Sequence, residues 1–229
     1  MEKCRPPPMH QGILFRSDAK AGVGAVILGG WKCHGGCLPR QARWYSVRLD
    51  QENAPWMYCR GEPFRVVAAL ELMATLVSAM AFRDPGCEVD GAIGLSAAGA
   101  TDNKGNTYAA QRMMSTSFPL SAFLMELSEQ LELRRSWLDL QWIPRQQNEE
   151  ADALTNEHFA DFDATRRIQV DISALPWIVL TEMLEAGHGM VKELEQLRAE
   201  IKAERAAGRE RKKARKKLAA EGLKATDPW

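Results

Sequence analysis

Four carboxylates, Asp18, Glu71, Asp102 and Asp152, lie on segments that read as strands, helices or the joints between them. Asp18 falls in the mostly apolar run 13–19 (ILFRSDA), a strand signal. Glu71 lies four residues after Val67 and three before Ala74, on or beside an apolar helical stripe. A carboxylate there is unfavourable unless it is paired, hydrogen-bonded or holding a metal. Asp102, in Thr101-Asp102-Asn103, ends a strand just before a helix. That is a usual place for a cap or an Asx-turn, and it is also where open α/β sheets carry active-site groups. Asp152 belongs to W-I-P-R-Q-Q-N-E-E-A-D-A-L-T-N (142–156), in which a Pro-Arg loop joins a strand to a helix. Asn148 is a good N-cap there, and Ala151, Leu154, Thr155 and Phe159 recur at helical spacing. Each acid alone has a structural explanation; Glu149, Glu150 and Asp152 favour the positive end of the helix dipole. Four acids brought together by strands and helices are better explained as a site.

The elements that must position them follow from periodicity. Residues 13–19 and 24–28 read as a hairpin with its turn or bulge at 21–24, and 43–49 as a third strand, making an antiparallel meander. Residues 64–82 form the clearest helix, with Val67, Leu70, Ala74, Val77 and Ala81 facing a sheet and Arg83-Asp84-Pro85-Gly86 ending it. A strand opens at 92–95 and runs, less regularly, to 101. A helix over 105–117 follows, then another from Pro119 with Phe123, Leu124, Leu127 and Leu131 on its apolar face. The last strand is 138–143 and the last helix of the body starts at Asn148. The order is β-β-β-α-β-α-α-β-α, an α/β fold with a five-stranded mixed sheet.

Length and 45% hydrophobic content allow one sizeable core with an appendage. The zero net charge conceals a split: residues 1–163 carry 16 Lys and Arg against 20 Asp and Glu, and residues 164–229 carry 14 against 10. We read 1–12 as a Pro-rich linker, 13–163 as the globular domain, and 164–229 as a docking segment (172–183) followed by a charged helical tail. The apolar seam Val191, Leu194, Leu197, Ile201 is too short for a coiled coil. Arg209 to Lys217 (RERKKARKK) reads either as a solvated helix or as a contact for nucleic acid. No run approaches the length of a transmembrane span, and the N-terminus lacks the apolar core of a signal peptide. The expectation is an intracellular protein, cytoplasmic or nuclear, that is not secreted. The five cysteines, Cys4, Cys33, Cys37, Cys59 and Cys87, are irregularly spaced and expected to be reduced. Cys33-His34-Gly35-Gly36-Cys37 has no second ligand pair, so a Gly-rich hairpin turn is preferred to zinc.

Four motifs, S-D-A-K-A-G-V-G-A-V-I-L, A-L-E-L-M-A, T-D-N and W-I-P-R-Q-Q-N-E-E-A-D-A-L, occur in this order on this element sequence. On them the chain resembles the ribonuclease H family, specifically the domain that retroelements attach to their reverse transcriptases. The resemblance covers about residues 13–162. It implies a ribonuclease H-like fold and an endoribonuclease that cuts the RNA strand of RNA/DNA hybrids with two Mg²⁺ (or Mn²⁺), leaving 5′-phosphate and 3′-hydroxyl ends. It implies that Asp18 bridges both ions, that Asp152 serves the nucleophile side, and that Glu71 and Asp102 serve the leaving-group side. Such ions prefer oxygen ligands, and they offset the repulsion among crowded acids. Ser17, Lys20, Asn103, Lys104, Asn106 and Arg145, polar or basic residues beside the acids, are candidate contacts to the substrate backbone. Two features of cellular enzymes are missing: a basic handle between the helices at 105 and 119, and a histidine in the loop 143–148. An upstream reverse transcriptase domain would then supply the grip. Competing readings are a catalytically silent module that binds nucleic acid or protein, and a 3′–5′ exonuclease of the same superfamily.

Overall fold

The computed structural model describes residues 12–22, 24–33, 36–82, 95–185 and 187–225. The strands are β1 (Phe15–Gly22), β2 (Ala25–Lys32), β3 (Trp44–Leu49), β4 (Leu95–Thr101) and β5 (Ser136–Trp142). The helices are α1 (Val67–Ala81), α2 (Lys104–Arg112), α3 (Leu120–Leu133), α4 (Glu149–Thr155), α5 (Leu180–Glu185) and α6 (Gly187–Ala225). The sheet order is β3-β2-β1-β4-β5; β1–β2 and β2–β3 are antiparallel, β1–β4 and β4–β5 parallel. This is the five-stranded mixed sheet expected, with the meander and the α-β-α-α-β-α continuation in place. The expected opening of β4 at 92–94, the Arg83–Gly86 helix stop, most of the 1–12 linker and His34-Gly35 lie outside the described residues. Cys33 and Cys37 are not joined in a disulfide.

Helix boundaries move for local reasons. Pro63 opens a 3-10 turn over Pro63–Val66, so the α-helix starts only at Val67. Helix α2 stops at Arg112 rather than 117 because Met113 takes a left-handed backbone (φ 47°), and Ser115 then accepts the Ser117 N–H in a local turn. Helix α4 stops at Thr155: Glu157 is left-handed (φ 59°), and the His158 N–H returns to the Ala153 carbonyl. Phe159 leaves the helix but still packs on Trp44, ring centroids 5.0 Å apart.

Helix α1 packs on β1, β2 and α3. Its Ala-, Leu- and Met-rich sequence favours helix, and Ala69, Leu70 and every residue of 72–78 are buried. By length and composition Pro63–Ala81, with a mean hydropathy of 1.7, could cross a membrane, which corrects the expectation that no run is long enough. Its apolarity has another cause, burial in the domain core.

Helix α4 covers the opposite face, where Trp31, Trp44, Ala151, Leu154 and Phe162 cluster. Two consecutive glycines admit both helices. A Cβ on Gly29 would lie 2.9 Å from Leu154 Cβ, and one on Gly30 would meet the Ser78 hydroxyl and the Tyr45 ring. Because successive strand residues face opposite sides, each glycine serves one helix.

The chain divides into two compact units, Met1–Gly187 and His188–Trp229. Residues 164–187 therefore belong with the body. Ile172, Trp177 and Leu180 are buried. The fully buried Glu126 carboxylate of α3 accepts the backbone N–H groups of Ile178 (3.0 Å), Val179 (2.6 Å) and Leu180 (3.0 Å). The second unit is the helix α6, whose stretch 209–217 is exposed throughout.

The Gly30→Ala variant forces Ser78 and Tyr45 apart and is expected to lose about 1–3 kcal/mol. A lower urea midpoint at unchanged slope would confirm this, and an unchanged midpoint would refute it.

Candidate metal centre

The parallel pair β1–β4 sets the level of the site. Arg16 is in register with Ala100, so two residues further along each strand Asp18 and Asp102 come level. Strand β4 has ended at Thr101, whereas β1 runs on to Gly22. Glu71 joins them from α1. Asp18, Glu71 and Asp102 each offer a carboxylate oxygen, and these oxygens all lie within 4.8 Å of one another.

Asp18 is 8% exposed, and its Oδ2 lies 3.4 Å from the Thr155 hydroxyl of α4. Burial, followed by the Asp102 and Asp152 charges, pushes its carboxyl up from 3.8 to about 6. Burial also raises Glu71, from 4.5 to about 7, with Asp18 and Asp102 adding to the shift. The Asn103 side-chain amide opposes it by donating to Glu71 Oε2. Asn103 is also the N-cap of α2, its carbonyl oxygen accepting the Asn106 N–H at 3.1 Å. One side chain thus fixes the start of a helix and one acid of the site. Three oxygen donors close together, with Asp18 and Glu71 disfavoured as free anions by burial, suit a hard divalent cation.

Asp152 is outside this group of three. Its Oδ1 accepts from Arg145 Nη2 (2.9 Å) and its Oδ2 from Asn156 Nδ2 (2.8 Å). The candidate substrate contacts divide. Ser17 is 1% exposed and its hydroxyl meets Thr75 of α1, 3.2 Å away. Asn106 is also buried and donates to the Ala68 carbonyl. Neither side chain is presented to a substrate, because strand alternation turns Ser17 to the α1 face and Asn106 packs under α1. Lys20, Lys104 and Arg145 are exposed around the acids. Lys20 Nζ reaches Asn156 Oδ1 (2.5 Å), and Lys104 Nζ lies 5.8 Å from the centroid of the Trp142 ring.

Sequence reasoning missed the residues that hold these groups. Trp142 is half exposed and its indole N–H donates to the Asp102 carbonyl at 3.0 Å. Arg16 Nη1 donates to the Gln147 carbonyl (2.6 Å) and to Glu150 (3.2 Å), tying the loop before α4 to β1. Asn148 does not cap α4 with its side chain as expected. Its backbone has left the usual cap conformation, and its amide donates across to the Ser17 carbonyl at 3.3 Å.

No protein-family model matches the sequence, and no curated protein matches it. Among solved structures the chain is similar to RNase H1 from the halophilic archaeon Halobacterium salinarum NRC-1, with a TM-score of 0.40 and 17% identity over 64% of this chain and 96% of that one. It is similar to LC11-RNase H1 in complex with an RNA/DNA hybrid (TM-score 0.45, 14% identity, 64% and 95% coverage). It is also similar to the N-terminal RNase H domain of rv2228c from Mycobacterium tuberculosis, solved as a maltose-binding-protein fusion (TM-score 0.35, 17% identity, 64% and 94% coverage).

The raised carboxyls set a sign for stability. Between the unfolded and folded values, 3.8 to about 6 for Asp18 and 4.5 to about 7 for Glu71, the folded state binds more protons. Stability from these groups is therefore greatest at low pH and falls as pH rises toward 7. In EDTA at pH 8, Glu71→Gln should stabilise the protein by about 1–2 kcal/mol, an advantage that vanishes near pH 4. Thermal melts across pH test this, and a destabilised variant at pH 8 would contradict it.

Proposed function

We propose that the chain is a divalent-cation-dependent endonuclease of the ribonuclease H type, derived from a retroelement, that hydrolyses the RNA strand of RNA/DNA hybrids. The observation that carries the reading is the convergence of Asp18, Glu71 and Asp102 at the β1–β4 step of the sheet, their oxygens within 4.8 Å. The four sequence motifs add the substrate class and the retroelement origin, and the short α2–α3 connection, 113–119, suits a domain whose grip comes from an upstream reverse transcriptase.

Asp18, Glu71, Asp102 and, in the complete site, Asp152 hold the ions, two Mg²⁺ in this reading. Bound there, such ions supply an activated water and offset charge on the departing 3′ oxygen. The chain's own residues do the rest. Asn103 orients Glu71, and the Trp142 indole braces the Asp102 backbone. Lys20, Lys104 and Arg145 place positive charge around the acids, where a phosphate backbone would enter. Selection of an RNA strand rests on 2′-hydroxyls in the wide minor groove. The basic stretch Arg209–Lys217 adds a sequence-independent contact to nucleic acid. The second reading, a silent binding module, draws on the engagement of Asp152 by Arg145.

The test is cleavage of an end-labelled RNA/DNA hybrid with Mg²⁺, beside the same RNA in duplex RNA. Internal cuts confined to the hybrid are expected, abolished by EDTA and reduced on the order of a hundredfold or more in Asp102→Asn. Binding of hybrid without cleavage in Mg²⁺ or Mn²⁺ would establish the silent module instead.

A further inference from the structure

Asp152 is the acid that the geometry sets apart. It lies on α4 one turn before Thr155, whose hydroxyl contacts both the Asp152 carbonyl (2.9 Å) and Asp18 Oδ2 (3.4 Å). Its charge reaches Asp18 and contributes to raising that carboxyl. Yet both its oxygens are engaged elsewhere, one by a cation of the protein itself.

That cation is placed to leave. The Arg145 side chain is 76% exposed and Asp152 36%. Arg145 begins a short 3-10 turn after Pro144, and the far end of the turn is fixed because Arg16 binds the Gln147 carbonyl. The backbone is held while the guanidinium faces solvent. An exposed ion pair of this kind is weak and easily exchanged. A guanidinium also matches a phosphate as well as it matches a carboxylate, through paired N–H donors. Asn156 is different: its neutral amide holds Asp152 without competing for its charge, and its own carbonyl is held by Lys20.

We propose that Arg145–Asp152 is a substrate-released latch. A backbone phosphate of the bound nucleic acid takes the Arg145 guanidinium, and the freed Asp152 carboxylate turns to the group of three as a further cation ligand. Arg145 is thus a positioning residue that makes completion of the cation site depend on nucleic acid. The identity of the releasing partner rests on the nuclease reading; the latch itself rests on the geometry of this chain.

The test measures Ca²⁺ binding to the full chain by calorimetry, so its readout is not activity. Arg145→Gln should bind Ca²⁺ roughly two- to fivefold more tightly than wild type. Asp152→Asn should change wild-type affinity by less than about twofold, yet remove the gain in the Arg145→Gln background, a non-additive cycle. A gain that survives in the double variant would overturn the latch, because Arg145 would then act only as a nearby positive charge. In the second arm, a prebound short RNA/DNA hybrid should tighten Ca²⁺ binding to wild type but not to Asp152→Asn. No hybrid effect beside a non-additive cycle would overturn release by nucleic acid. That result is distinct from failure of the nuclease reading, which is seen as hybrid left uncut with Mg²⁺.

Discussion

The parallel pairing of β1 with β4 is the constraint on which the site depends. The register Arg16↔Ala100 makes Asp18 and Asp102 neighbours although the sequence separates them widely, and a slip of one residue would turn Asp18 to the other face. Register is secured on both sides of the sheet. Gly29 lets α4 close on the face of Asp18, and Gly30 lets α1 close on the face of Ser17, at the rungs Asp18↔Gly29 and Ser17↔Gly30. The tight approach of the two helices desolvates the acids and carries Glu71 and Asp152 toward the same strand end. Packing and electrostatics are therefore one problem here: the contacts that stabilise the fold create the unfavourable charge cluster.

A ring of neutral and basic side chains makes that cluster tolerable. Asn103 donates to Glu71, Asn156 and Arg145 to Asp152, and Asn148 fixes the β1 backbone beside Asp18. These residues stand at element ends, where short polar side chains also terminate helices. The same chemistry thus shapes the chain and holds the acids apart.

The sheet, its order of elements and the convergence of Asp18, Glu71 and Asp102 were legible because they depend on period, turn chemistry and residue type. Val67 illustrates the limit of periodicity: helical spacing puts it on the buried stripe of α1, yet it is 36% exposed because the helix begins there. Ser17 and Asn106 read as candidate substrate contacts but are enclosed by tertiary packing, which no local pattern reports. Asn148 had the residue type of a cap and serves instead as a cross-link to a strand 131 residues away in sequence. The Arg16 tie to the α4 loop was invisible for the same reason, since its partners are distant in the chain. What sequence alone could not supply was the side-chain network between elements, and this network separates Asp152 from the other three acids.

The Glu126 carboxylate, enclosed in α3 and satisfied by N–H groups at the start of α5, bears on where this domain stops. All four acids lie before residue 153, so an excision after the last site helix would keep every candidate ligand. It would also strip the buried Glu126 side chain of its donors and uncover the seat of Trp177 and Leu180. A piece that keeps both the acidic centre and the donors of Glu126 therefore extends into α5, and residues 172–180 are part of the wall of the body, not a dispensable leash to the basic helix.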